Sequence, residues 1–314
     1  MPSGLGGLSV VSVHNFSYGL LNPALAYAVS CLGAFLGLRC VTRARAHTGA
    51  GRGRWLALAA VAIGATGIWT MHFIAMLGFS IPAVQITYNV PLTIASMLIA
   101  IAVVGVGLFI VGFGNGGWKP LLTGGAIIGI GVASMHYMGM AAMNMPDHQH
   151  YNSPLFILSV VIAIVAGTAA LWAGTQVRGI GATIGASLIM GVAVSGMHYT
   201  GMAAMRVSAG SAGSAHAMSM SGSTGSSFLV PLILGISLVT FVLTLTISLS
   251  PTEDEIHADA MLQQRFDEQF SANRPIGARL ASGEPGGQPG GLWNGGGRTG
   301  GTNGSLWTKP PRVN

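Results

Sequence analysis

Carboxylates are almost missing from this chain. It has eight acidic residues in 314, and only Asp147 precedes Pro251. So little acid leaves no material for paired-carboxylate acid–base catalysis, a di-iron carboxylate site or the oxygen cages that Mg and Ca require. Charge of either sign is scarce, at 7% of residues, where ordinary soluble domains carry about 25%. Cysteine is limited to Cys31 and Cys40. On one helix they would stand about 13 Å apart, beyond disulfide reach, so neither a staple nor a thiolate metal pair is expected. No Walker loop or nucleophile elbow occurs. Enzymatic activity is not expected.

Apolar sequence is abundant instead. Hydrophobic residues make up 51% of the chain, gathered in seven runs near 18–40, 55–79, 91–113, 120–143, 154–175, 181–204 and 228–250. Each has roughly the 20 residues that a bilayer-spanning helix needs. The expected fold is an all-α polytopic bundle of seven transmembrane helices, with the lipid bilayer as its main partner. The net charge of +6 is therefore read by side of the membrane and gives no reason to expect nucleic acid. Arg39, Arg43, Arg45, Arg52 and Arg54 follow the first run, Lys119 the third and Arg178 the fifth, whereas the opposite side has Arg206 alone. Positive charge stays inside, so the N-terminus is expected outside and the C-terminus in the cytoplasm. Trp55, Trp118 and Trp172 mark the basic interface. No basic segment precedes the first run, so a cleaved signal peptide is not expected.

From Pro251 the character changes. Thr252 and Glu255 form a capping box, and Ile256, Leu262, Phe266 and Phe270 give one short amphipathic helix over 251–270. Residues 271–314 are rich in Gly and Pro and are expected to be disordered.

One uncommon string is written more than once. Residues 134–143 read SMHYMGMAAM and residues 196–205 read GMHYTGMAAM, with a looser copy, TMHFIAMLGF, at 70–79. The three histidines, His72, His136 and His198, are 64 and 62 residues apart. The repeat is a motif helix and a return helix, near 55–113, 120–175 and 181–250. Spans two, four and six all run outward, and each histidine lies 17–20 residues past the basic interface, about 25–30 Å along a helix. All three imidazoles should share one layer near the outer face. Small-residue pairs (Gly33 with Gly37, Gly125 with Gly129, Gly181 with Gly185) favour close helix contacts.

His136, Met140 and Met143 lie on one helix face, as do His198, Met202 and Met205, while His72 keeps Met76. Met71, Met135 and Met197 point about 100° away. Twelve of the sixteen methionines, Met218 and Met220 among them, fall in these windows or the adjoining loops, beside His148, His150 and His216. Thioether and imidazole together select Cu(I) and tolerate Cu(II). A copper site of His72, His136 and His198, assisted by Met76, Met140, Met143, Met202 and Met205, is therefore expected. A copper transport protein, a haem protein with paired histidines, and histidines that only bind helices together are the rival readings. Tyr137 and Tyr199 are equally suited to anchoring at the interface.

Three copies of MHF or MHY on alternate spans of a seven-span chain resemble the MHYT family of bacterial integral-membrane sensor domains. The resemblance covers roughly residues 13–250. It implies a cytoplasmic-membrane domain that holds copper, as one or two ions, and senses a diatomic gas such as oxygen, carbon monoxide or nitric oxide. By resemblance the site residues are Met71 and His72; Met135, His136 and Tyr137; Met197, His198 and Tyr199. Phe73 and Met138 depart from the family's letters. Family members are often fused to cyclic-di-GMP enzymes, and the short polar tail here implies signalling through a separate cytoplasmic partner or through the tail helix.

Overall fold

The breaks between apolar runs carry the residues that stop and start helices. The computed structural model describes residues 19–80, 86–114, 116–144, 148–208, 223–250 and 253–272. Within them α1 covers Leu21–Ala46, α2 Gly49–Met76, α3 Val90–Phe113, α4 Trp118–Ala141, α5 Ser153–Gln176, α6 Ile180–Ala204 and α7 Gly225–Leu249. All seven are long and apolar enough to cross a membrane. The side chains of Asn89 and Asn152 accept hydrogen bonds from Leu92 N at 3.0 Å and Leu155 N at 3.3 Å, which caps α3 and α5. Pro91 and Pro154 fill the first turns, where a missing N–H costs nothing. Gly117 and Gly179, at φ 94° and 75°, supply the left-handed backbone in the tight turns into α4 and α6.

Helices α1 to α6 form a closed ring. Successive helices pack side by side, and α1 closes the circle between α2 and α6. Helix α7 lies outside it, against α1 and α2. The motif helices α2, α4 and α6 thus alternate with α3, α5 and α1. In space the partner of α6 is α1, not α7, the return helix that follows it in the 181–250 unit. Glycine contacts follow the same rule. A Cβ on Gly129 of α4 would sit 2.7 Å from the backbone of Ala163 in α5, and one on Gly191 of α6 would sit 3.0 Å from Tyr27 in α1. Gly33 and Gly37 meet α2, at Gly67 and Ile63, and Gly125 meets Thr168 of α5. Gly181 and Gly185 meet nothing within 4 Å. Among the described residues no helix packs closely on either glycine, which corrects the expectation of close packing there.

Helix α2 differs from the other motif helices. From Ala62 to Thr70 it widens to a π-helix, and the Thr70 hydroxyl donates to the carbonyl five residues back, Ala65 O, at 2.9 Å. Such wide turns are rare and cluster at functional sites. This one ends two residues before His72. Trp69, fully buried, donates its indole N–H to Ser96 Oγ on α3 at 3.0 Å, which satisfies the group that burial would otherwise strand.

Short antiparallel ladders tie the motif end together. β1 (Thr87–Tyr88) pairs with β2 (Met143–Asn144) and β5 (Ser223–Thr224), and β3 (His148–Tyr151) pairs with β4 (Met205–Ser208). The β1–β2 and β3–β4 ladders each join the exit of one motif helix to the entry of the preceding return helix, and β1–β5 joins the entries of α3 and α7. The segment holding His148 and His150, expected as a flexible loop, is thus strand. The helix expected over 251–270 runs from Glu253 to Ala272 as α8. Its cap Thr252, the tail 273–314, residues 13–18, and Met145, Asp147, His216, Met218 and Met220 lie outside the described residues.

Candidate metal centre

Each motif helix brings one histidine to the ring's interior. All three are 1% exposed. Their imidazoles form a nearly equilateral triangle, with ring centroids 4.8, 5.0 and 5.1 Å apart and planes crossed at 76–89°. The Nδ1 atoms face inward: His72 Nδ1 is 3.0 Å from His198 Nδ1 and 3.1 Å from His136 Nδ1. The three rings offer one ligand atom each, all within 4.8 Å of one another.

The opposite ring edges rest on glycine. A Cβ on Gly139 would overlap His72 Nε2 and lie 3.0 Å from His72 Cδ2. One on Gly201 would overlap His136 Nε2 and lie 2.8 Å from its Cδ2. Each glycine stands three residues after its own histidine. His72 therefore leans on α4 and His136 on α6, each at the place where the next motif helix has only a glycine. On α2 the corresponding residue is Ala75, which is buried. His72 Nε2 and His136 Nε2 are buried without any hydrogen-bond partner.

That arrangement is unfavourable for three neutral imidazoles alone. Each carries one proton, and on His72 and His136 a proton on Nε2 is buried against glycine with no acceptor. Three Nδ1 lone pairs aimed at one point are the electron-rich arrangement that a cation completes. Metal–imidazole bonds of about 2.0–2.1 Å require nitrogen separations of about 3.3–3.6 Å in trigonal or tetrahedral geometry. The separations of 3.0 and 3.1 Å fall short by a few tenths of an ångström, so the triangle fits an ion with little adjustment.

The family model described as a bacterial signalling protein N-terminal repeat, MHYT, matches residues 66–124 and again 129–186. Residues 66–186 thus belong to the MHYT family. Among its relatives, a bifunctional diguanylate cyclase/cyclic di-GMP phosphodiesterase of Pseudomonas aeruginosa, MucR, is 38% identical over 201 residues, 62% of this chain and 29% of MucR. The cyclic di-GMP phosphodiesterase NbdA of the same organism is 38% identical over 202 residues, 62% of this chain and 25% of NbdA. The signalling protein YkoW of Bacillus subtilis is 28% identical over 200 residues, 60% of this chain and 24% of YkoW. The chain thus spans under a third of the length of these curated relatives. No solved structure gives a significant match. The MHYT domain is a multi-pass part of the bacterial inner membrane. The two model matches take in His72 and His136; His198 lies beyond them, and the ring brings it to the same point.

The remaining motif residues surround the triangle in the MHYT domain. Met71, Met76, Met135, Met140, Met143, Met197, Met202 and Met205 are all buried. All but Met71 belong to the one packed core that also holds Trp69 and Phe73. Met71 packs separately with Ala26 and Ala75, close to Tyr199. Tyr137 and Tyr199 set their rings edge-on to His136 and His198, with centroids at 5.0 and 4.9 Å, and Phe73 does the same for His72 at 4.8 Å. The phenol of Tyr137 is shared with Ser159 of α5 at 2.7 Å. His150 is exposed on β3.

Two features of the sequence shape the site without belonging to its His, Met or Tyr letters. One is the glycine of HYMG and HYTG. The other is the pair YNVPL (88–92) and YNSPL (151–155), 63 residues apart. Besides capping α3 and α5, the backbone N–H groups of Asn89 and Asn152 donate to Ala142 O and Ala204 O at 2.8 Å, closing the ends of α4 and α6. The tyrosines lie over the motif aromatics, Tyr88 on Phe73 at 6.1 Å and Tyr151 on Tyr137 at 5.3 Å. Burial pushes both phenols above their ordinary range, and for Tyr151 the nearby Tyr137 adds to it. This cover is aromatic and uncharged at neutral pH. The signal for it was legible as a second repeat in phase with the first.

Proposed function

We propose that this MHYT signalling domain is a sensor in which His72, His136 and His198 hold a copper ion through Nδ1, and that it responds to a diatomic gas, to redox state or to copper itself. The observation that carries this reading is the convergence of three buried imidazoles inside a layer of buried thioethers. No acidic residue occurs among the described residues of the ring, so the donor set is soft and neutral, as Cu(I) prefers. Met76, Met140, Met143, Met202 and Met205, with Met71, Met135 and Met197, would form the thioether surround. Tyr137 and Tyr199 would hold the ring planes of their histidines. Bound copper would supply a redox-active centre able to take a small ligand.

By the positive-inside rule the motif end faces outward and the arginine end lies in the cytoplasm. Output would leave through α7, the helix that continues toward the C-terminal segment. Thr240 of α7 shares a buried hydrogen bond of 2.8 Å with Thr66 in the π-helix. Arg43 of α1 donates to the carbonyls of Ile247 and Ser250 at the far end of α7. A shift at His72 would therefore reach α7 through the packed helix between it and Thr66, six residues earlier. MucR and NbdA are named for cyclic di-GMP chemistry, and a cytoplasmic partner of that class is the likeness-based candidate here.

The rival readings fare less well. Transport inward would need polar groups on the path below the triangle, and the residues one turn below are Ile68, Val132 and Val194. Haem would need a porphyrin between two imidazoles whose rings already touch. The test is elemental analysis of the protein in mild detergent, with an absorption spectrum, beside the triple variant H72A/H136A/H198A. Copper near one or two equivalents, lost in the variant, is the expected result. No metal after loading with Cu(I), or metal retained by the variant, would overturn the site.

A further inference from the structure

A chamber lies on the ring axis, directly beneath the histidine layer. Its volume is about 50 Å³, and it is lined by all six ring helices without a single polar side chain. The lining includes Ile68, Val132 and Val194. These are the residues four before His72, His136 and His198, so one turn of helix, about 6 Å, separates the chamber wall from the imidazoles. Met197, next to His198, also lines it. Toward the arginine end, Val41, Leu108, Leu171 and Gly174 line both this chamber and a larger vestibule of about 190 Å³ with Arg45 and Arg52 at its rim.

A cavity that admits one water needs only about 10–15 Å³ by the same measure, but the water also needs two to four polar partners. This chamber has the room and none of the partners. Apolar cavities of that kind stay dry and take up uncharged guests such as xenon. Their binding is driven by dispersion contacts that an empty cavity wall forgoes. An ion or a hydrogen-bonding metabolite would lose its solvation on entry and regain nothing.

We propose that the axial chamber is a binding site for one small, uncharged, non-hydrogen-bonding guest of the size of a diatomic gas. The bilayer dissolves such guests, and the six-helix wall has no charge to exclude them. A guest in the chamber stands one helical turn from the three Nδ1 atoms, with only the Ile68, Val132 and Val194 side chains between. That the guest is also the sensed signal rests on the sensing reading above. Occupancy of the chamber does not, because nothing in its wall is a metal ligand except Met197, which points into it as an apolar side chain.

Xenon is the probe. Saturable exchange of dissolved xenon, followed by 129Xe NMR on the full chain in nanodiscs, is expected for the native protein. Filling the chamber with A166L or A193L should weaken it at least tenfold, and enlarging it with L108A should tighten it. I189F, at a site 71% exposed on the outer face of α6, should leave it unchanged and shows that the response is local. The triple histidine variant should still bind xenon, so loss of the metal reading and loss of the chamber reading separate cleanly. Absence of saturable exchange in the native protein would overturn the proposal. So would exchange that neither filling nor enlargement moves.

Discussion

Replacing Gly201 or Gly139 with alanine is the most direct way to disturb the triangle without touching a ligand. The added Cβ would overlap Nε2 of His136 or His72 and sit 2.8 or 3.0 Å from the Cδ2 of the same ring. Ordinary carbon contacts need about 3.5 Å, so the ring or the helix must move by about 1 Å. Both histidines are 1% exposed, and each leans on the next motif helix, so the ring has no free direction to take. Overpacking of this kind costs about 1–3 kcal/mol of stability. A displacement of that size also exceeds the few tenths of an ångström by which the nitrogens miss an ideal set. Disturbed support of a metal ligand weakens binding about 10–100-fold. G201A and G139A should therefore lower copper affinity by that factor, measured by competition against a Cu(I) chelator, while helicity by circular dichroism persists. G196A, which meets nothing within 4 Å, is the matched control and should bind as the native protein does. If G201A and G139A keep copper affinity within twofold of native, the imidazoles are not held by the glycines and the geometric argument fails.

Two further substitutions probe other links. Y137F removes the hydrogen bond to Ser159 and should cost about 1 kcal/mol of stability, seen as a lower unfolding temperature. Its copper content should be native, because Phe73 already fills the equivalent place beside His72; loss of copper would assign the phenol a role at the ion. T240V removes the Thr66 contact between the π-helix and α7, costing about 0.5–1.5 kcal/mol. It should leave copper affinity unchanged while abolishing any ligand-dependent change in protease or hydrogen-exchange protection of α7, and a preserved response would place the output path elsewhere.

Much of this molecule was legible in its letters, and the reason is depth. The seven spans follow from apolar length alone, and the common height of the histidines follows from counting residues from the basic interface at a fixed rise per residue. Their convergence needed one assumption, that parallel repeats surround an axis. What the letters hid was the neighbour of α6. Sequence continuity pairs it with α7, but a ring of alternating motif and return helices needs a third return helix, and α1 has the small faces for it. Tyr27 and Cys31 meet Gly191 there, and Asn22 donates its side-chain amide to Ile74 O at 3.2 Å, closing the end of α2 much as Asn89 and Asn152 close α4 and α6. A contact between the first and sixth spans leaves no periodic trace. The glycines under the imidazoles were visible as repeated letters, yet a glycine in a membrane helix is too common to single out without the ring beside it.

The three repeats are alike at the histidines and unlike everywhere that output needs a direction. The first has Phe73 for tyrosine, Ala75 for glycine and the only π-helix among the described residues. It is also the repeat whose motif helix carries α7, through Thr66 and Thr240. A regular α-helix resists sliding along its axis because every carbonyl has its partner four residues on. A nine-residue wide segment holds one residue in excess, and passing that excess along the helix rotates His72 relative to Thr66 without breaking the ladder as a whole. In a threefold-symmetric cage, a change at the centre would push all three helices equally and no one of them would report. The wide segment would make α2 the helix that yields first, and α7 is attached at that segment through Thr66 and Thr240. The asymmetry of the first copy is thus what would turn an event at a symmetric centre into movement of one helix, the one that leaves toward the C-terminal segment.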